Sequence, residues 1–260
     1  MIGAVLVVYK PDLALTERLL TRLYGQTEEV VIVDNSPTPH DFTKVIKHYH
    51  YIHDQDSLIP SDMVFNLSSL LKASNKIKQN VVAIGPRIRC SFSDKKVNPK
   101  VQKEVFEYGD LVGVTQIIAS GMMIDLSALD QIGLKDESLF IDGVDHEWCW
   151  RARSMGFDIA KAKNVEMVHR LGDSRSKFIG VTYKVGAPIR LYYQFRNILL
   201  LSRRPYVPTY WKVRCLFFMP IKLFLNSVMQ KNRLKRLGFM LQGIIDGVLG
   251  RKGPYKSHWK

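Results

Sequence analysis

Apolar residues along the chain fall into short runs separated by polar, turn-forming clusters. Residues 3–8 are a continuous run rich in Val and Leu, the pattern of a strand covered on both faces, as in a parallel sheet. Tyr9-Lys10-Pro11 ends it. In residues 13–24 the apolar positions Leu15, Leu19, Leu20 and Leu23 recur at helical spacing, and Gly25 supplies a C-terminal cap. Residues 29–33 repeat the buried-strand pattern and close at Asp34-Asn35-Ser36-Pro37. This is one βαβ unit, with parallel strands and a right-handed crossover expected.

Further on, Tyr49 to Ile52 reads as a strand end, and residues 62–72 as a helix with Ser61 as N-cap. Residues 81–84 form another buried strand, whereas 90–109 are polar and read as an excursion. Residues 115–124 are apolar but interrupted at Ser120-Gly121, where glycine marks either close approach of a ligand or a bulge. Leu139-Phe140-Ile141 reads as a short strand running into Asp142-Gly143. A helix then runs from Asp145 to Met155, burying Trp148, Ala152 and Met155. Residues 165–168 make a last strand, ending in His169.

From residue 191 the texture changes to mixed aromatics, aliphatics and bases. Residues 213–229 are apolar but broken by Pro220 and Lys222, too interrupted to span a bilayer and suited to its interface. An ordinary helical subdomain with a solvated basic face fits the same pattern. The pattern divides the chain into an α/β domain over 1–190 and a helical, basic amphipathic region over 191–260.

The formal charge of +14, from 38 Lys and Arg against 24 Asp and Glu, points to an anionic partner. No nucleic-acid recognition module is visible, which leaves acidic lipid or a phosphorylated substrate. The three cysteines are far apart and give neither a disulfide framework nor metal-ligand spacing, as expected in a reducing compartment. No signal peptide is expected from the N-terminal run.

Candidate chemistry gathers at strand ends. In Asp54-Gln55-Asp56-Ser57, residues i and i+2 of an extended segment point the same way, so two carboxylates could meet one hard cation. A polar turn is the alternative. Val8-Tyr9 and Asp34 stand at carboxyl ends of strands, where open α/β sheets bind ligands. No dinucleotide fingerprint or phosphate-binding P-loop follows the first strand. Asp145 and Glu147 sit in a first helical turn, either as helix-dipole partners or with one serving as a general base. His169 could complete a metal site, and Arg175 and Lys177 could neutralise phosphate.

Taken in order, these motifs resemble an inverting GT-A glycosyltransferase of family 2, and more narrowly the bacterial rhamnosyltransferases of O-antigen and cell-surface polysaccharide assembly. The carriers are Val7-Val8-Tyr9, Val33-Asp34-Asn35-Ser36, Asp54-Gln55-Asp56-Ser57-Leu58-Ile59-Pro60, Ala119-Ser120-Gly121, Leu139-Phe140-Ile141-Asp142, Val144-Asp145-His146-Glu147-Trp148 and Val168-His169-Arg170-Leu171-Gly172-Asp173. The resemblance implies a Rossmann-like, mostly parallel sheet flanked by helices. It implies nucleotide contacts from Val8, Tyr9 and Asp34. It makes Asp54 and Asp56 a pair that grips the donor diphosphate through Mg²⁺ or Mn²⁺, with His169 as third ligand. Asp145 matches the catalytic base, with Glu147 beside it; Ser120, Gly121 and Trp148 would line the acceptor side. The implied donor is dTDP-L-rhamnose, the acceptor a lipid-linked saccharide, and the location cytoplasmic, peripheral on the inner face of the cell membrane.

The sequence departs from the family at one place. Only seventeen residues, 37–53, separate Ser36 from Asp54, where the family carries a further strand and helix. An internal deletion there would remove part of the donor site. A catalytically impaired, membrane-associated protein on the same scaffold is therefore the rival reading. A nucleotidyltransferase is a weaker one, since it calls for a Gly-rich basic loop where Tyr9-Lys10-Pro11 stands.

Overall fold

The computed structural model describes residues 2–8, 11–23, 25–34, 36, 57–74, 80–90, 102–169, 174–178, 181–185 and 187–256. Tyr9, Asp54, Asp56 and the segment joining Ser36 to Ser57 lie outside these residues. The chain divides into two compact units, Met1–Asp125 with Phe157–Leu171, and Leu126–Gly156 with Gly172–Lys260.

The first unit opens with β1 (Gly3–Val8), α1 (Leu13–Leu23) and β2 (Glu29–Asp34). β1 and β2 pair in parallel from Gly3 opposite Glu29 to Val8 opposite Asp34, the expected βαβ geometry. Asp12 starts α1 by accepting from the amides of Ala14 and Leu15 at 3.0 and 3.2 Å, which satisfies donors that a first turn leaves open. Leu19, Leu20 and Leu23 pack with Leu6 and Val8 in the core. The other strand face does not match the expectation of cover on both sides: Val5, Val7, Val31 and Val33 are exposed, Val5 at 67%.

After β3 (Ser57–Leu58) comes α2 (Met63–Ser74). Its first turn is capped from outside rather than by Ser61. The Gln26 side chain, from the turn after α1, accepts from the Val64 amide at 3.0 Å and donates to the Pro60 carbonyl at 3.3 Å. The main sheet runs β5 (Glu104–Tyr108), β6 (Leu111–Val114), β8 (Asp158–His169), β4 (Val81–Cys90), β7 (Met123–Ile124), with β3 paired to the end of β8. Among the described residues, only β4 and β8 pair in parallel in this sheet. The fold is α/β with a mixed sheet rather than a mostly parallel one. Connection length sets one of the antiparallel pairs: β5 and β6 turn over two residues, Gly109 (φ 53°) and Asp110, and so tight a link allows only an antiparallel return. Pro86, which has no amide hydrogen for the ladder, falls within the register shift between Gly85 and Arg87.

The second unit contains α3 (Leu129–Ile132), α4 (Val144–Ser154), the hairpin of β9 (Ser174–Phe178) and β10 (Val181–Val185), then α5 (Pro188–Ser202), α6 (Thr209–Val228) and α7 (Arg233–Val248). α5 and α7 pack so closely that a Cβ at Gly243 would lie 2.5 Å from the Tyr192 carbonyl oxygen. α6 continues through Pro220. Residues 126–156 group with residues 172–260 in this unit. The expected strand at 139–141 is a 3₁₀ turn, Glu137–Leu139, followed by Phe140 at φ 63°. Met155, expected on the buried side of α4, is exposed, while Trp148 and Ala152 are buried.

Candidate active site

In the first unit the sheet brings several of the singled-out positions together by backbone register. Val8 lies beside Asp34 at the carboxyl ends of β1 and β2. The Val8 side chain belongs to the core, and Asp34 accepts from the Ser36 amide at 2.9 Å, closing an Asx turn. Ser57 pairs with His169 across β3 and β8, and Cys90 pairs with His169 from the other side. The backbone one residue beyond Asp56 therefore meets the end of β8 at His169. Among the described residues there is no cluster of three or more metal-ligating side chains; both carboxylates of the Asp-x-Asp pair lie outside those residues.

Ser120 is buried. Gly121 has φ 71°, and a Cβ there would come within 2.9 Å of Pro86 and 3.2 Å of the Met167 sulfur. The close approach that this glycine permits is made by the protein's own side chains. Arg175 lies on β9, opposite Lys184 in the hairpin.

The second unit presents Asp145 at the start of α4, reached through an unusual stretch of backbone. Phe140, Asp142 and Gly143 all have positive φ, at 63°, 64° and 96°. Such conformations cost L-residues free energy and persist only where the surroundings dictate them. Here the surroundings are two consecutive side chains of α5. Asn197 is buried, and its amide nitrogen donates to three carbonyls, those of Leu139, Ile141 and Asp142, at 3.0, 2.8 and 2.9 Å. Arg196, fully buried, donates to the Leu139 carbonyl at 2.9 Å and to the carbonyl of Gly253. Arg196 also donates to the Asn197 side-chain oxygen at 3.0 Å, which fixes the orientation of that amide. Its guanidinium rests against the rings of Tyr192 and Tyr193 at 5.2 and 5.1 Å. Burial, and then donation to Asp246 at 2.8 Å, pushes the Tyr192 hydroxyl up to about 12.

Arg190, nearly two turns before Arg196 on α5, takes Asp142 in a two-pronged ion pair at 2.6 and 3.2 Å. Phe140 stacks on Tyr193 with ring centroids 5.0 Å apart. The loop 139–143 is thus held by its backbone, and Asp145 follows from it in register. The Asp145 carboxylate accepts from the His146 amide at 2.9 Å and is partly exposed.

Glu147 and Trp148, expected at the cleft, are placed otherwise, because the helix turns them inward. Glu147 is 1% exposed. Its carboxylate accepts from Arg151 and Arg204, both at 2.9 Å, and from the Tyr206 hydroxyl at 2.6 Å. Arg204 also binds Asp136. Arg151 reaches the carbonyls of Ile132 and, at 2.7 Å, Leu134. Glu147 is the hub of an internal network that ties α4 to the segments on either side, and its oxygens face guanidiniums and a phenol. Trp148 is fully buried and donates from Nε1 to the Gly133 carbonyl at 2.9 Å.

Sequence reasoning missed Arg196, Asn197 and Arg190. The detectable signal was a pair of arginines and an asparagine set within a largely apolar helical run, Pro188–Ser202, since a buried charge requires partners.

Along nearly its whole length the chain is similar to a known glycosyltransferase. It is 29% identical over 288 residues to the dTDP-rhamnosyl transferase RfbF of Shigella flexneri, with 97% of each chain covered. The resemblance to rhamnosyltransferase-type glycosyltransferases, read above from motifs, thus holds across the chain, and so does the reading as an enzyme of that class. The aligned stretch is longer than this chain of 260 residues; the relative therefore carries residues with no counterpart here. No protein-family model matches the chain.

Two outcomes follow from this geometry. Asn197→Asp puts an acceptor where three carbonyls require a donor, and should destabilise the protein by on the order of 3 kcal/mol; chemical denaturation of wild type and variant measures it. Asp136 has its carboxyl held below the ordinary 3.8: burial raises it, but the hydrogen bonds from Ser138 and Arg204 together outweigh that. Its contribution is therefore complete above the ordinary carboxylate range and is lost as pH falls through the depressed folded value. Melting temperatures measured down through that range should fall more steeply for wild type than for Asp136→Asn.

Proposed function

We propose that the protein transfers L-rhamnose from dTDP-L-rhamnose to a hydroxyl of a lipid-linked saccharide, inverting the anomeric configuration, at the inner face of a bacterial membrane. The observation that carries this reading is the whole-length similarity to a dTDP-rhamnosyl transferase. The loop that sets Asp145 in place supports it. Asp145 acts as the base: its carboxylate takes the proton of the acceptor hydroxyl, whose oxygen bonds to the anomeric carbon. The bond from that carbon to the phosphate oxygen breaks on the opposite face, and dTDP leaves with the electron pair. Asp54, Asp56 and His169, a set of two carboxylates and an imidazole, would hold Mg²⁺ or Mn²⁺, which offsets charge on the leaving diphosphate. Val8, Tyr9 and Asp34 take the nucleotide, Arg175 the phosphates, and Ser120 and Gly121 the acceptor side. Glu147 serves by anchoring α4, on which Asp145 stands.

Two observations favour a second reading, in which the scaffold is retained and the donor side is incomplete. The relative has residues that this chain lacks, and an apolar valine face of β1 and β2 is exposed. Calorimetric titration with dTDP-L-rhamnose, with and without Mn²⁺ or Mg²⁺, separates the two. Metal-dependent binding is expected; a folded protein that binds no donor under either condition would leave the second reading standing.

Asp145→Asn keeps the hydrogen bond from the His146 amide but cannot take a proton. It should lower turnover by about 10²–10⁴-fold while leaving the melting temperature and donor binding nearly unchanged. Glu147→Gln should behave oppositely in stability, losing about 3 kcal/mol because two guanidiniums lose a buried counter-charge. Equal turnover by Asp145→Asn and wild type would remove Asp145 from the mechanism.

A further inference from the structure

Residues 188–260 hold fifteen Lys and Arg and one acidic residue, Asp246. The whole formal charge of +14 therefore resides in this segment, and the preceding 187 residues are balanced. Asp246 is buried and engaged by Tyr192 and Arg251. No acidic side chain of the segment faces outward.

Within this basic setting α6 is apolar on two sides. Met219 and Leu223 pack inward against Leu191, Phe195 and Met240. On the other side Val213, Phe217, Ile221, Phe224 and Val228 recur at steps of three and four, with Pro220 beside Ile221, so they form one uncharged stripe along the helix. All six are exposed, Phe217 at 65% and Phe224 at 57%. α7, which packs on α6, bears a second exposed series in Leu234, Leu241, Ile245 and Val248. A helix apolar on both faces is ordinarily covered on both, and an apolar stripe of this length open to water marks a docking surface. Among the described residues no helix is long and apolar enough to cross a membrane.

We propose that the exposed stripe of α6 docks in the plane of an anionic lipid bilayer, with that of α7 beside it. The proposal names, by its residues, the surface through which the protein of the preceding section meets a membrane, and it uses no part of the transfer chemistry. Charge selects the occupant. A second copy would bring fifteen more bases against the first, with no outward carboxylate to receive them. Anionic headgroups supply the missing counter-charge while acyl chains take the phenylalanines. At 20 residues, α6 is about 30 Å long, enough to lie flat with its stripe immersed. Arg214 fits this geometry: its guanidinium sits 4.8 Å over the ring of Phe218, at the border of the stripe.

The test is flotation of the full chain with vesicles of phosphatidylcholine, with and without phosphatidylglycerol, alongside Phe217→Ser/Phe224→Ser. Wild type should float with the anionic vesicles, less so as salt is raised, and poorly with neutral ones. The double variant changes only exposed side chains; it should melt like wild type and partition at least about tenfold more weakly. Equal flotation of the two proteins, or none by wild type, overturns the proposal. So does a wild type that light scattering shows to be a dimer without lipid, if the double variant is monomeric and neither floats. Because flotation needs neither donor nor acceptor, an inactive transferase that floats as expected leaves this inference intact.

Discussion

A pair of neighbouring side chains, Arg196 and Asn197, holds the second unit in its form. Between them they bind four backbone carbonyls, three of them in the loop that leads into α4. Three residues of that loop have positive φ, and a backbone so disposed turns its carbonyls inward, where no helix or strand can satisfy them. Buried carbonyls without donors are costly, so the loop conformation and the two donors require one another. The position of Asp145, the inward turn of Glu147 and the burial of Trp148 all follow from that agreement.

The network around Glu147 does the same at the other end of the helix's first turn. It gathers two guanidiniums, a phenol and a second carboxylate from residues as far apart as Asp136 and Tyr206. A carboxylate so enclosed is held by its partners, while Asp145, two residues earlier, stays partly exposed. Two acidic residues in one helical turn thus meet different surroundings because the 100° step between successive residues directs them differently.

Much of the fold was legible because it depends on short-range pattern. The βαβ start, the helix 145–155 and the strand ending at His169 all appear near their expected places, since periodicity and turn residues act locally. What escaped depended on distant partners. Gln26 caps a helix that begins at Met63, and nothing beside Ser61 announces this. One antiparallel pair of the sheet, β5 with β6, comes from a two-residue link that reverses the chain. The segment at Leu139 looked like a strand by composition, yet donors on α5 bend it into left-handed turns. Of the candidate site, backbone register places Val8 beside Asp34 and Ser57 beside His169. The inward fate of Glu147 and Trp148 could not be read without Arg151, Arg204 and the Gly133 carbonyl in view.

The clamp also bears on how the protein is made. Arg196 and Asn197 lie 55–58 residues beyond the carbonyls of the loop they bind, and Arg196 reaches a further 57 residues on, to Gly253. Chain synthesis proceeds from the N-terminus, so the ribosome delivers Asp145 long before the groups that settle it. For a time the loop 139–143 stands without the donors that α5 supplies to its carbonyls. The loop that leads to Asp145 can settle only once α5, with Arg196 and Asn197, has emerged.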